Sequence, residues 1–317
     1  MNVFISVDTF SDTSDLPKKL LDDANIRIRK NLHGRSIQSS ELAQEIQDAS
    51  VLIAGTEKIT EDVFQNAPNL KLIARVGIGL DGIDFDLCKK YGVSVTYTPD
   101  APSIAVAELC VGMILDLARE MTIANNNIKS RIWHRHMGML LYGKTVGIIG
   151  MGRIGKSLVH LLSTFNVNFL VHDIVPDLAF GRLKGVAFVS KEEVLENSDV
   201  VSIHIPLNEN TQDFIQLGDI KSMKKSAFLV NTARGGIVNE KDLYTALSQG
   251  IIAGAAVDVY EEEPYSGDLV RLNNCLLTSH MGSATVDSRT DMELQAVNEA
   301  IRYFNGTAFK NEVFMHN

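Results

Sequence analysis

Three short polar clusters in the second half of the chain hold residue types that bind anions and move protons. Asn231-Thr232-Ala233-Arg234-Gly235-Gly236 follows one apolar run, Asp258-Val259-Tyr260-Glu261-Glu262-Glu263-Pro264 follows the next, and Ser279-His280-Met281-Gly282-Ser283-Ala284-Thr285 follows a third. An arginine presents a planar fork of donors that can grip a carboxylate with two bonds and polarise the oxygen beside it. A histidine exchanges a proton near neutrality, and a neighbouring carboxylate favours its imidazolium form. Arg234, Glu263 and His280 gathered on a nicotinamide would therefore suffice for hydride chemistry on a hydroxy acid. Taken alone, each has a plainer alternative: a helix cap, a solvated loop acid and a structural histidine.

Upstream, Gly150-Met151-Gly152-Arg153-Ile154-Gly155 stands between the apolar run Thr145-Val146-Gly147-Ile148-Ile149 and a helical pattern carried by Ile154, Leu158, Leu161 and Leu162. The first glycine permits a tight turn, the second lets backbone amides approach a pyrophosphate, and the third allows close helix-strand packing. The helix N-terminus adds partial positive charge. The next run, Val167 to Val171, ends at His172-Asp173, and Asp173 lies 18 residues past Gly155, where a carboxylate can accept bonds from the adenosine ribose hydroxyls. These residues predict a dinucleotide site. A 2′-phosphate would meet like charge at Asp173, and Ile174-Val175-Pro176-Asp177 offers no arginine to offset it, so the expected cofactor is NAD rather than NADP. Arg153 is expected to touch the pyrophosphate.

The elements that must position these groups are legible as short runs rich in β-branched residues. They are Val3 to Val7, Val51 to Ala54, Leu72 to Val76, Ser94 to Tyr97, Thr145 to Ile149, Val167 to Val171, Val200 to Ile203, Ala227 to Val230, Ala253 to Val257 and Cys275 to Leu277. Helical patterns alternate with them, which predicts an α/β architecture of parallel sheets covered on both faces. With 317 residues and no repeat or low-complexity tract, two domains are expected. The strongest punctuation is Thr98-Pro99-Asp100-Ala101-Pro102-Ser103, ahead of a helical pattern from Ile104 to Met121, and a last pattern runs from Thr285 to Phe304. The expected division is 1–100 plus 286–317 as one domain, with 101–285 inserted as the other.

Acids outnumber bases 39 to 30, so the net charge of −9 gives nucleic acid or an anionic membrane no general attraction, and an anionic ligand needs a local cationic pocket. Cys88, Cys110 and Cys275 are far apart and form no Cys-x-x-Cys pair, which argues against a disulfide framework or structural zinc and for a reducing compartment. Met1 to Asp8 lacks the basic and apolar regions of a signal peptide, and the longest nearly apolar stretch, Ala105 to Leu117, is interrupted by Glu108 and Asp116. A cytoplasmic protein that does not span a membrane is expected. His33, His160, His172, His204 and His316 read singly as surface or core groups. His134 and His136 flank Arg135 in a basic stretch with Arg131 and Trp133, read as an anion or dimer surface in preference to a metal clip.

The whole pattern resembles the D-isomer-specific 2-hydroxyacid dehydrogenases. Arg75-Val76-Gly77-Ile78-Gly79-Leu80-Asp81-Gly82-Ile83-Asp84, Ala105-Val106-Ala107-Glu108, the glycine turn and the three clusters fall in that family's order and spacing over nearly the whole chain. The resemblance implies a Rossmann NAD-binding domain inserted in a flavodoxin-like substrate domain. It implies that Arg234 binds the substrate carboxylate and carbonyl, that Glu263 orients and charges the histidine, and that His280 donates and accepts the proton. Beside Gly150, Gly152, Arg153, Ile154, Gly155 and Asp173, it places His204, Pro206, Thr211, Thr232, Ala233, Asp258 and Gly282 at the cofactor, with Asp258 on the nicotinamide carboxamide. It places Val76 and Gly77 at the substrate carboxylate and implies a homodimer formed through the Ile104 to Met121 helix and the segment after it.

Within the family the pattern looks closest to short 3-phosphoglycerate dehydrogenases, so oxidation of 3-phosphoglycerate to 3-phosphohydroxypyruvate is the leading expectation. A phosphate requires cations beyond Arg234, and Lys58, Arg75 and Arg135 are the candidates. Departures from the pattern concern the substrate: Ala54-Gly55-Thr56-Glu57-Lys58 replaces a common Arg-Ser pair, Gly82 a common Asn, and Asn239 a common Asp. The chain stops at Asn317, so a regulatory extension is not expected. The alternatives are hydroxypyruvate or glyoxylate reduction, phosphite oxidation on the same scaffold, and an NADH-sensing protein-binding module like the corepressors that share this fold.

Overall fold

Ten strands form where the β-branched runs predict them, and two more form where no such run exists. In the computed structural model, which describes residues 1–313, the strands are β1 (Asn2–Ile5), β2 (Arg27–Lys30), β3 (Val51–Ala54), β4 (Leu72–Arg75), β5 (Ser94–Thr96), β6 (Thr145–Ile149), β7 (Asn168–His172), β8 (Val186–Phe188), β9 (Val200–Ile203), β10 (Phe228–Asn231), β11 (Gly254–Val257) and β12 (Cys275–Leu277). His316 and the end of the 286–317 segment lie outside the described residues. The unforeseen strands are β2, reading Arg-Ile-Arg-Lys, and β8, reading Val-Ala-Phe. Both sit at sheet edges, paired on one side only, and so need no apolar run.

The chain divides into two compact units: unit 1 is Met1–Pro102 with the segment from Ser283 onward, and unit 2 is Ser103–Gly282. The expected crossings after residues 100 and 285 lie within three residues of these.

Unit 1 is a parallel sheet in the order β2-β1-β3-β4-β5, the flavodoxin-like arrangement. Alternate residues of each strand enter opposite cores, because successive side chains point to opposite faces. Phe4, Leu52 and Ile73 pack with Leu42, Val63 and Phe64 on one face, while Val3, Ile5, Val51, Ile53 and Leu72 pack with Leu21 and Val297 on the other. The helix Val286–Phe304 belongs to this second face. Its N-cap Thr285 accepts from Ser288 N at 3.1 Å, and it buries Met292, Ala296, Val297 and Ala300 in the core. Burial at about 1.5–3 kcal/mol per large apolar side chain is enough to hold a segment so distant in sequence.

Unit 2 is a parallel sheet in the order β12-β11-β10-β9-β6-β7-β8, the Rossmann arrangement. The helix Ala101–Arg119 is apolar and long enough by composition to cross a membrane. Here its Val106, Ala107, Cys110, Met113 and Ile114 pack in a core with Val146, Ile148 and Val230. The single helical pattern expected through Met121 is broken: Glu120 takes a left-handed conformation (φ +52°), and a second helix, Met121–Lys129, begins after it.

Candidate active site

In unit 2, β6 lies between β7 and β9, which makes its carboxyl end the point where strand order reverses and ligands bind. The glycine turn stands there. Gly150 takes φ +97°, and a Cβ on it would lie 2.6 Å from His204 O. A Cβ on Gly155 would lie 2.4 Å from Gly150 O, so only glycine lets the helix Arg153–Leu162 close on the turn. Gly152 has open space around it, with nothing within 4 Å of a Cβ position. Arg153 is exposed at the helix start, and Ile154 packs against the core beneath.

Asp173 has internal partners that the sequence did not reveal. Its Oδ2 accepts from Met151 N at 2.6 Å and its Oδ1 from Val175 N at 2.7 Å, so the carboxylate ties the glycine turn to the loop after β7. Each oxygen keeps accepting capacity for a ribose hydroxyl. An open amide cradle at a helix N-terminus with a carboxylate beside it fits the pyrophosphate and ribose of NAD.

The loop after β9 carries His204, Pro206 and Thr211. Thr211 Oγ1 donates to Pro206 O at 2.7 Å and accepts from Asn208 N at 2.7 Å, which closes the loop on itself. His204 shares a hydrogen bond with Ser202 Oγ through Nε2 at 2.9 Å, while its Nδ1 is buried with no partner among the described residues. Burial holds its imidazole down to about 4, so it is neutral at physiological pH. After β10, Asn231 folds the next loop: its Oδ1 accepts from Ala233 N at 3.1 Å and its Nδ2 donates to Arg234 O at 3.0 Å. Buried Thr232 meets Cys110 Sγ at 3.0 Å, a contact from the preceding long helix that local spacing did not reveal. Arg234 donates from one guanidinium nitrogen to Ala233 O at 2.7 Å.

Glu263 and His280 are brought together. His280 Nδ1 lies 3.0 and 2.9 Å from the two carboxylate oxygens, and because a carboxylate only accepts, Nδ1 carries a proton and Nε2 is left for a ligand. The His280 side chain is 45% exposed. Tyr260, overlooked in the sequence, sets the acid: its N–H donates to Glu263 Oε1 at 3.2 Å, its hydroxyl reaches Thr278 O at 2.7 Å, and its ring stacks on Tyr265. His280 itself is left-handed (φ +52°). Fully buried Asp258 imposes that conformation by accepting from Met281 N and Gly282 N, each at 2.8 Å, and from Thr278 Oγ1 at 2.5 Å. Three of the bonds Asp258 can accept are thus given to the histidine turn. The loops bearing Arg234, Glu263 and His280 leave the carboxyl ends of the adjacent strands β10, β11 and β12.

The substrate candidates divide between the units. Arg75, Val76, Gly77 and Lys58 belong to unit 1 and Arg135 to unit 2. Gly77 takes φ +143° and donates to Thr98 Oγ1 at 2.8 Å. Arg75 folds over its own turn, with Nε on Gly79 O at 3.0 Å and a terminal nitrogen on Val76 O. Lys58 is exposed. Arg135 is exposed next to Trp133, and His136 of the same stretch pairs with Glu120.

Comparison with known proteins agrees with this geometry. The model of the D-isomer specific 2-hydroxyacid dehydrogenase NAD binding domain matches residues 111–282. A D-3-phosphoglycerate dehydrogenase of Methanocaldococcus jannaschii is 38% identical over 89% of this chain, which spans 55% of that protein's length. A glyoxylate reductase of Thermofilum pendens is 38% identical over 84% of this chain and 81% of its own. The TT0316 protein from Thermus thermophilus superposes with a TM-score of 0.89 at 28% identity, covering 99% of this chain and 100% of that one.

Proposed function

The chain belongs to the D-isomer-specific 2-hydroxyacid dehydrogenase family, and from that premise we propose that it is an NAD-dependent oxidoreductase interconverting a small D-2-hydroxy acid and its 2-keto acid. The observation that carries the reading is the Glu263–His280 pair, with Nδ1 held at 2.9–3.0 Å on a half-exposed side chain. When bound, NADH supplies the hydride that reduces C2. His280 Nε2 delivers a proton to the C2 oxygen in reduction and takes it back in oxidation, while Glu263 stabilises the imidazolium. Arg234 grips the C1 carboxylate and polarises the carbonyl. General acid-base help of this kind is worth roughly 10² to 10⁴ in rate.

Two substrates stand behind this reading. 3-Phosphoglycerate is favoured by the overall resemblance and by the Methanocaldococcus relative, and glyoxylate by the Thermofilum relative. Following NADH absorbance with glyoxylate, pyruvate, hydroxypyruvate, 3-phosphohydroxypyruvate and, in the oxidative direction, phosphite tests the reading. Turnover of at least one 2-keto acid is expected. NADH binding without any turnover would favour a sensing module instead. We further propose a homodimer, supported by the exposure of Ile132, Trp133, Met137, Leu140 and Tyr142 on the segment after Lys129. Sedimentation at twice the chain mass, lost in Trp133→Asp, is the expected result.

A further inference from the structure

The loop that carries Arg234 is held from two sides within unit 2. At Gly235 it passes against the Tyr260 backbone, where a Cβ would lie 1.9 Å from Tyr260 O, so glycine is required for this close approach. Tyr260 is the residue whose N–H sets Glu263, and the arginine's loop therefore rests on the same support as the acid. From Gly236 onward the loop runs beside residues 213–215, the end of the segment that carries His204, Pro206 and Thr211. Asp213 N donates to Gly236 O at 2.7 Å, Ile215 N to Ile237 O at 3.0 Å and Asn239 N to Ile215 O at 3.0 Å, forming a short parallel bridge outside the sheet.

One pair of side chains closes that bridge. Asp213 is left-handed (φ +51°), a conformation that persists where the surroundings over-determine it. Its Oδ1 accepts from Asn239 Nδ2 at 2.9 Å, while Asn239 Oδ1 accepts from Asp242 N at 3.1 Å and caps the helix Glu240–Ser248. Asn239 thus donates with one end of its amide and accepts with the other, which an ionised aspartate cannot do. Asp at this position, the family pattern's expectation, would set two part-buried carboxylates against each other at that distance. The departure at 239 is answered inside unit 2, by Asp213.

Resting on the oxidoreductase reading above, we propose that Asp213 and Asn239 are positioning residues for Arg234. By tying its loop to residues 213–215 they fix where the guanidinium stands, and so act on the grip on the substrate carboxylate rather than on proton transfer by His280. The segment carrying His204, Pro206 and Thr211 is closed separately by the bonds of Thr211, so breaking the pair is felt on the arginine side. A grip made in the ground state shows in KM.

The experiment measures KM and kcat, at saturating NADH, for whichever of glyoxylate, pyruvate, hydroxypyruvate and 3-phosphohydroxypyruvate the native protein turns over fastest. The variants are Asn239→Ser, Asn239→Asp and the exchanged pair Asp213→Asn/Asn239→Asp. Serine keeps a helix cap but is too short to reach Asp213. KM does not depend on how much of a variant folds. It is expected to rise about fivefold in Asn239→Ser, where one hydrogen bond is lost, and about tenfold or more in Asn239→Asp, where like charges meet, each with a smaller fall in kcat. In the exchanged pair, where the amide donates from the other side, KM should return to within about twofold of native. If Asn239→Asp is inactive, turnover regained in the exchanged pair supports the proposal. A KM within about twofold of native in Asn239→Ser, an exchanged pair no better than Asn239→Asp, or a fall in kcat with KM unchanged would overturn the proposal and leave the oxidoreductase reading standing. No turnover of any acid by the native protein would overturn that reading, and the proposal with it.

Discussion

In unit 2 the turn after the first strand, β6, is built from glycines and runs straight into the helix Arg153–Leu162; in unit 1 the turn after β1 contains no glycine before the helix Leu16–Asp23. Both lie at reversal points of parallel sheets with helices on both faces. The first offers backbone amides and a helix N-terminus, donors that suit any pyrophosphate. The second offers side chains, Ser6 and Glu57 after their strands and Arg75 closing its own turn. One topology thus presents main-chain donors at one reversal point and side-chain groups at the other.

The sharpest way to break that division of labour is to separate chemistry from grip. His280→Asn should lower kcat by roughly 10² to 10⁴ while NADH affinity, read by fluorescence titration, stays within about threefold. A parallel collapse of NADH binding would place His280 in the cofactor grip instead. A second test uses acid. The His204 imidazole is depressed from 6.5 to about 4 by burial, so the unfolded chain takes up the proton first, and stability falls as pH drops between those values, by about 3 kcal/mol in full. Burial raises one carboxyl in each unit, Glu293 in unit 1 and Glu240 in unit 2, so those two act alike as pH falls and His204 is what distinguishes the units. Hydrogen exchange at pH 7 and 5, corrected for intrinsic rates, should therefore show unit 2 losing more protection than unit 1; equal losses would contradict the assignment. The smallest effect concerns the cofactor's ribose. Asp173→Ser should weaken NADH about tenfold and narrow the preference over NADPH, because a charged acceptor is lost. Because Asp173 also accepts from Met151 N and Val175 N, the melting temperature should fall with it, and unchanged affinity would confine the residue to bracing the turn.

Much of this was legible along the chain. The glycine turn, the ten apolar runs and the order of Arg234, Glu263 and His280 are local patterns, since backbone geometry and strand burial are dictated by near neighbours. The family and its NAD-binding domain followed from those same residues.

Tertiary structure decided the rest. An edge strand such as Arg27–Lys30 pairs on one side and needs no apolar signature, so only its partner β1 reveals it. The break at Glu120 interrupts an apolar pattern that by itself continued to Met121. The internal duties of Asp173 and Asp258, the neutral burial of His204, and the fastening of Glu57 by a serine 51 positions away all join groups remote in sequence. Residue type and spacing determine which chemistry is on offer. Which oxygens are already taken, and which charges stay fixed where a ligand arrives, depends on long-range hydrogen bonds that exist only once the sheets have formed.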